Sequence, residues 1–389
     1  MARRVGIIGT GMTKSGTSDV PSWILFAEAA IEAIKEAGLK LGDIQGLHFG
    51  NAYSATTELQ TNISPLVLSV LGIENHIPCV RYEAACCSGS IAFRQGYLNI
   101  LSGAYDIVLV GGAERLRGVP STVSQGAMSA SMAHVERKAG LTFSAYFALA
   151  AKEYARRYGL SIDRLQELLA AISVKSHYHG SFNKRAHFQK AVTVADVMSS
   201  PMVSPPIKVM DSCPFSDGAA ALVLAPEEIA RNYKHTVWIE GSGQASGNSV
   251  IAEGADLTAV PAAEKAVADA LKQARMSITE IQIAEVHDCS SIREVMCLEA
   301  SGLFKKGEGV YSAAERKTYF DGAIPVNISG GLKSRGHPVG ATGAYQLCEL
   351  SRELRGDWEG VKPKNDPQVG ITVNIGGGGA VATSHVLRK

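Results

Sequence analysis

Neither sign of charge is in excess in this chain. Lys plus Arg total 38 against 37 for Asp plus Glu, so no global field draws nucleic acid or an anionic membrane, and any anionic ligand needs a local patch. No long apolar run opens the chain. After Arg3 and Arg4, the run Val5 to Ile8 is far shorter than a signal h-region or a membrane span, which sets the expectation of a cytoplasmic protein. The seven cysteines (Cys79, Cys86, Cys87, Cys213, Cys289, Cys297 and Cys348) include no C-x-x-C pair and no paired zinc-site spacing. Their odd number argues against a disulfide framework, and no structural metal is expected. Two nucleotide motifs fail at one place each. Gly9-Thr10-Gly11 lacks the third glycine of a dinucleotide fingerprint, because Lys14 stands there. Gly336 to Gly343 lacks the Gly-Lys-Ser/Thr ending of a phosphate loop.

What is present reads as an α/β protein with many tight turns: 46% hydrophobic residues, 19% charged residues and 40 glycines. Its 389 residues exceed what one compact core usually supports, so two fused halves are expected. The chain repeats itself once. Val5-Gly6-Ile7-Ile8-Gly9-Thr10-Gly11 and Val237-Trp238-Ile239-Glu240-Gly241-Ser242-Gly243 both read as a buried strand and turn. A helix follows each. With a shift of 237 (266 minus 29), Ala29, Ala33, Lys35, Ala37 and Ile44 meet Ala266, Ala270, Lys272, Ala274 and Ile281. Apolar strands come next, near Gly46 to Phe49 and Ile283 to Val286. Each half then offers a further helix and strand, Ser90 to Leu101 then Asp106 to Val110, and Ala344 to Leu354 then Val369 to Val373. Two such β-α-β units imply two sheets packed back to back through a shared helical layer. Residues 1–114 plus 205–232 form the first half and 233–389 the second. The stretch 115–204 reads as an insertion with one helix, Phe143 to Tyr158, and an irregular exit through Pro205-Pro206. A lid and a dimer contact are equal alternatives for it.

Four places could carry chemistry. In Glu83-Ala84-Ala85-Cys86-Cys87-Ser88-Gly89-Ser90 a cysteine precedes a helix, whose N-terminal N–H groups favour a thiolate. Close packing of a turn is the bland alternative, and Cys86 and Cys87 are equivalent by this argument. Val286-His287-Asp288-Cys289-Ser290 places titratable groups at a strand end, suited to acid/base work or oxyanion stabilisation. A metal set completed by Cys297 and His337 is its weaker reading. His337, held in a glycine-rich turn, is a candidate base. Asn374-Ile375-Gly376-Gly377-Gly378-Gly379 offers bare N–H groups for an oxyanion hole, or is only a tight turn.

The order of these motifs resembles the thiolase superfamily over essentially the whole chain. Glu83 to Gly89 is similar to the nucleophile motif, Gly336 to Gly343 to the Gly-His-Pro block, and Asn374 to Gly378 to the C-terminal glycine loop. Asp217-Gly218-Ala219-Ala220-Ala221 resembles the segment that opens the last strand of the first half. The resemblance implies the thiolase fold: two duplicated βαβαβαββ halves in a five-layered α-β-α-β-α core, with an inserted loop domain. It also selects Cys86 as nucleophile, because the family's cysteine stands two residues before Ser-Gly. Ordinary thiolases carry Asn-Glu-Ala-Phe at the second site and Cys-x-Gly at the fourth. His287-Asp288-Cys289 and Asn374-Ile375-Gly376 instead resemble the sterol-carrier-protein-type and archaeal acetoacetyl-CoA thiolases, in which the acid/base cysteine is the one in His-Asp-Cys. Ser290 departs from that subgroup's usual Phe.

By resemblance, then, His337 takes the proton of Cys86, Cys289 deprotonates Cα, and His287 with His337 holds the enolate oxygen. The backbone N–H groups of Cys86 and Gly376 hold the tetrahedral oxyanion. The implied reaction condenses two acetyl-CoA to acetoacetyl-CoA without a cofactor. The implied partners are acyl-CoA, a second or third and fourth copy of the chain, a hydroxymethylglutaryl-CoA synthase and a small zinc-binding bridging protein. Neither nucleic acid nor a membrane is expected. The competing readings are an acyltransferase or ketosynthase with another acceptor, a non-catalytic scaffold, and an NAD-binding oxidoreductase, which Lys14 disfavours.

Overall fold

The apolar runs of the sequence become strands, six of them buried along their whole length. In the computed structural model, which describes residues 3–254 and 256–389, β1 (Val5–Met12), β2 (Gly46–Gly50), β3 (Cys79–Tyr82) and β4 (Val108–Glu114) come first. Then follow β5 (Gly218–Pro226), β6 (Val237–Ser246), β7 (Ile283–Val286), β8 (Val369–Gly376) and β9 (Val381–Arg388). They form one nine-stranded sheet in the order β3-β2-β4-β5-β1-β6-β9-β8-β7. Read outward from its middle, the order is first, last, fourth, second, third strand in the first half and first, last, third, second in the four-stranded second half. β2 pairs in parallel with β3 and β4, β7 in parallel with β8, and the other pairings are antiparallel. The counterpart of β3 shrinks to a single bridge between Ala284 and Val326. The expected two sheets are joined at one seam, where β1 and β6 share only the pairs Gly6–Trp238 and Ile7–Val237.

Among the described residues, nine helices have eight residues or more: α1 (Ser22–Glu36), α2 (Ile63–Leu71), α3 (Ser88–Leu101), α4 (Ser121–Ser129), α5 (Phe143–Tyr158), α6 (Ile162–Gly180), α7 (Pro261–Ala274), α8 (Ser291–Ala300) and α9 (Thr342–Arg355). Three apolar cores separate the layers. Phe26, Ala30 and Val67 of α1 and α2 pack on Phe49, Leu109 and Val223 of the first half-sheet. Phe93 and Ile100 of α3, with Leu347 and Leu350 of α9, fill the space between the half-sheets. Val267 and Val295 of α7 and α8 cover the outer face of the second, against Ile371 and Val373. This is the α-β-α-β-α order of the thiolase fold.

The Gly-x-Gly pairs are not turns. Both lie inside strands, because a Cβ on Gly11 would strike the Ala29 carbonyl oxygen of α1 and one on Gly243 the Ala266 carbonyl oxygen of α7. Glycine at these positions lets helix and strand backbones touch. The insertion is also more than one helix. α5 begins where Thr142 Oγ1 accepts the Ala145 N–H at 3.2 Å, and α6 where Ser161 Oγ accepts the Arg164 N–H at 3.2 Å, both ordinary N-caps. Phe147, Ala151, Leu165 and Leu169 then join the outer core of the second half. The expected irregular exit contains a small hairpin, Met202–Ser204 against Ile207–Lys208. No helix among the described residues is long and apolar enough to cross a membrane.

Candidate active site

Two helix starts and two strand ends converge at one place. Cys86 precedes α3, His337 lies in the turn before α9, His287 follows β7, and Gly376 ends β8. The Cys86 turn is shaped by its own neighbours. Ala85 has φ 49°, a left-handed conformation uncommon outside glycine. Glu83 accepts the Ala85 N–H at 2.7 Å, and Ser88 Oγ accepts the Ala84 N–H at 2.9 Å while donating to the Ala85 carbonyl at 2.6 Å. Glycines set how closely the pieces meet: a Cβ on Gly89 would lie 2.7 Å from the Gly340 carbonyl oxygen, and one on Gly376 2.5 Å from that of Ala84.

One donor atom from each of Cys86, His287 and His337 lies within 4.8 Å of the other two. The imidazole rings are 5.3 Å apart and nearly perpendicular. Their hydrogen bonds assign different tautomers. Thr342 Oγ1 donates to the Pro338 carbonyl at 2.9 Å, so it accepts from His337 Nδ1–H at 2.7 Å. His337 Nε2 is thereby left as a lone-pair base. The Asn374 side-chain amide donates to His287 Nδ1 at 3.2 Å, which leaves Nε2–H of His287 as a donor. One ring can take a proton and the other can hold a developing oxyanion. Cys86, His287 and His337 are also the set a divalent metal would find here, with one sulfur and two nitrogens. Cys297, the further ligand considered from the sequence, is turned away, its thiol donating to the His287 carbonyl at 3.2 Å.

Burial governs the electrostatics. It pushes the Cys86 thiol up, Cys289 adds to the rise, and the Gly377 N–H bond to the sulfur only partly offsets it. This corrects the expectation that the helix N-terminus yields a thiolate: desolvation of the charged form outweighs the few N–H groups. Burial, with Arg335 beside it, lowers His337 to about 3. The resting pair is therefore neutral thiol and neutral imidazole. Burial lowers His287 well below its usual value, with His337 and Arg293 contributing, and raises Cys289 to about 12, against the opposing charge of Arg293.

These groups open on a cavity of about 550 Å³. Cys86, His287, Cys289 and His337 line it, and Met128, Met132, Phe143 and Phe147 of the insertion form much of its apolar wall. The insertion therefore borders the site. Cys87 does not reach the cavity, its thiol donating to the Val381 carbonyl at 3.6 Å. Asp288 faces away and accepts the Leu332 N–H at 2.7 Å. Gly376 stands behind the wall against Ala84, while its neighbour Gly377, with φ 59°, lines the cavity. Sequence reasoning also passed over Cys213, a third thiol on the cavity wall, tied by its backbone N–H to the Cys289 carbonyl at 3.0 Å. No local pattern marks it, because the contact spans distant segments.

Comparison with known proteins places the chain in a family. Residues 5–203 match the family model "Thiolase, N-terminal domain" and residues 243–389 match "Thiolase C-terminal domain-like". The chain belongs to the thiolase family. It is 39% identical to an acetyl-CoA acetyltransferase of Methanothermobacter thermautotrophicus over all of both chains. It is 31% identical to sterol carrier protein 2 of Gallus gallus, over 99% of this chain and 72% of that one. Its fold superposes on an Ltp2–ChsH2(DUF35) aldolase with a TM-score of 0.83 at 23% identity, over 99% of this chain and 97% of the other. The chain is thus a thiolase-type enzyme.

Proposed function

We propose that the enzyme is an acetyl-CoA C-acetyltransferase that condenses two acetyl-CoA to acetoacetyl-CoA and coenzyme A, reversibly, through an acyl-Cys86 intermediate. The observation that carries this is the convergence of Cys86, His287 and His337 within 4.8 Å at a cavity that Cys289 also lines. His337 Nε2 takes the Cys86 proton, and the thiolate attacks the thioester carbonyl. The C–S bond to coenzyme A breaks, and the leaving thiolate takes its proton from Cys289. The Cys289 thiolate then removes a Cα proton from the second acetyl-CoA. Nε2–H of His287 and protonated His337 hold the enolate oxygen as its carbon attacks the acyl-Cys86 carbonyl. Backbone N–H groups of Cys86 and of the Gly376–Gly377 turn hold the tetrahedral oxygen. Cys86 leaves as thiolate and regains its proton from His337, which closes the cycle.

No metal or redox cofactor enters this scheme. The pantetheine arm would lie along the Met128, Met132, Phe143 and Phe147 wall. The resemblance of the His287-Asp288-Cys289 motif to archaeal acetoacetyl-CoA thiolases extends the proposal to a cytoplasmic homo-oligomer that hands acetoacetyl-CoA to a hydroxymethylglutaryl-CoA synthase on the way to mevalonate, through a small zinc-binding bridging protein. The test is incubation with acetoacetyl-CoA and coenzyme A. The enolate absorbance should disappear with the wild type and persist with Cys86→Ala. Persistence with both proteins would sink the proposal, and intact mass should separately show an acetyl adduct on Cys86.

A further inference from the structure

Arg293 is a cation without an obvious reason to be where it is. It occupies the first turn of α8, four residues after Cys289, and is fully buried. Nη2 donates to the Tyr146 hydroxyl at 3.3 Å and to the Gly378 carbonyl at 3.1 Å. The guanidinium lies 5.4 Å from the Tyr146 ring centre and 5.2 Å from that of Phe147. Among the described residues, Nη1 has no hydrogen-bond partner. No carboxylate is among the main influences on it; the ionisable groups that favour its charge are Tyr146, Cys289 and Cys297. An unpaired buried cation costs several kcal/mol, and two ring faces with one carbonyl recover only part of that. Arg293 stands behind the cavity wall, stacked on Phe147 and bonded to Gly378 beside Gly377, and is not among the described residues lining the cavity. The candidates for a compensating anion are the ionisable groups beside it. Of the two neighbouring thiols, Cys297 is fully buried and bonded to the His287 carbonyl, whereas Cys289 opens on the cavity.

We propose that Arg293 is a positioning residue for this reaction: its buried guanidinium is the resident counter-charge of the Cys289 thiolate, and its bond to Gly378 fixes the glycine turn behind Cys86. This rests on Cys289 being the Cα base. In line with it, the Cys289 thiol is raised chiefly by burial, and Arg293 is the strongest influence opposing that rise. Cys213, on the same cavity wall, has burial, Cys289 and Cys86 all raising it.

The test is alkylation by iodoacetamide at a fixed pH of about 8, with rates resolved for each cysteine by peptide mass spectrometry. A nearby cation shifts a thiol by about one to three pH units, so Arg293→Gln should slow alkylation of Cys289 by about tenfold or more, and Arg293→Lys should restore most of the rate. In the unmutated enzyme, Cys289 should react about tenfold faster than Cys213, which keeps the test intact if Arg293→Gln does not fold. Equal rates for Cys289 and Cys213, or an unchanged Cys289 rate in Arg293→Gln, would overturn the proposal. Deuterium incorporation into the acetyl methyl from D2O should fall in parallel in Arg293→Gln. If Cys289→Ala keeps that incorporation, the underlying assignment of Cys289 fails, whatever Arg293 does to the thiol.

Discussion

Replacing Thr342 with Val tests whether the His337 tautomer is what makes Cys86 reactive. The Thr342 hydroxyl is fully buried and accepts from His337 Nδ1–H at 2.7 Å. Val keeps the shape but offers no acceptor. The Pro338 carbonyl still accepts the Ala341 N–H at 3.0 Å, so it is not orphaned. His337 then has two options. It can keep Nδ1–H buried and unpaired, at about 1–3 kcal/mol, or move the proton to Nε2 and lose the lone pair that Cys86 needs. In either case the productive form becomes less populated by about that energy, which is about 5- to 150-fold in rate. The assay is rapid-quench intact mass, following the acetyl adduct on Cys86 at saturating acetyl-CoA. Thr342→Ser, which restores a hydroxyl, should recover most of the rate. Acetylation of Thr342→Val within twofold of the wild type, with His337→Ala inactive, would refute the tautomer argument.

Because burial lowers His337 to about 3, the neutral base persists as pH falls from 8 to 5. Single-turnover acetylation of Cys86 should therefore show no loss with a midpoint near 6.5 in that range, and such a loss would count against the assignment. The raised Cys86 thiol predicts that its alkylation in the free enzyme keeps rising with pH through 8, with no thiolate plateau; a flat profile from pH 5 to 8 would show that the helix N-terminus wins after all. Asn374→Asp turns the partner of His287 Nδ1 into an acceptor and so withdraws the Nε2–H donor. Condensation should fall on the order of 100-fold, measured as acetoacetyl-CoA formed, while the acetyl adduct on Cys86 still appears. Cys87→Ala should keep condensation within a few-fold of the wild type and lower the melting temperature only slightly, since its thiol makes one weak bond away from the cavity.

The large elements were legible because their signal is periodic. The 237-residue echo between α1 and α7 comes from small residues at helical spacing, and the buried runs of β1 and β6 from apolar continuity. What failed was long-range in origin. Gly9 and Gly11 look like a turn until α1 is laid across them. The seam between β1 and β6 rests on two residue pairs, too little for a pattern to announce. α6 does carry a local signal: Ser161 caps it, and Leu165, Leu168, Leu169 and Ile172 mark its buried face. In the site, residue types and their order pointed to Cys86, His287, Cys289 and His337, whereas Gly377, Cys213 and Arg293 are brought to it by contacts no local pattern encodes. The thiol's ionisation was misjudged for a physical reason. Proximity to a helix start is visible in sequence, but the depth of burial that outweighs it is not.

That depth suits the chemistry better than a standing thiolate would. A permanently ionised Cys86 in an open cavity about 550 Å³ in size would meet water and oxidants between turnovers. On the proposed mechanism, a Cys86 kept neutral beside a neutral His337 ionises only when a thioester carbonyl is there to take the electron pair. The high value of Cys289, about 12, serves the same end. In the proposed cycle the thiol gives its proton to the coenzyme A thiolate only as the C–S bond breaks, with Arg293 offsetting part of the cost of the thiolate left behind. The thiolate it leaves behind then has the basicity to take a proton from carbon. On that mechanism desolvation thus makes Cys86 a strong nucleophile and Cys289 a strong base at the moment each is needed, and the fixed donors around them, Gly377 N–H at Cys86 and Arg293 near Cys289, keep those thiolates attainable.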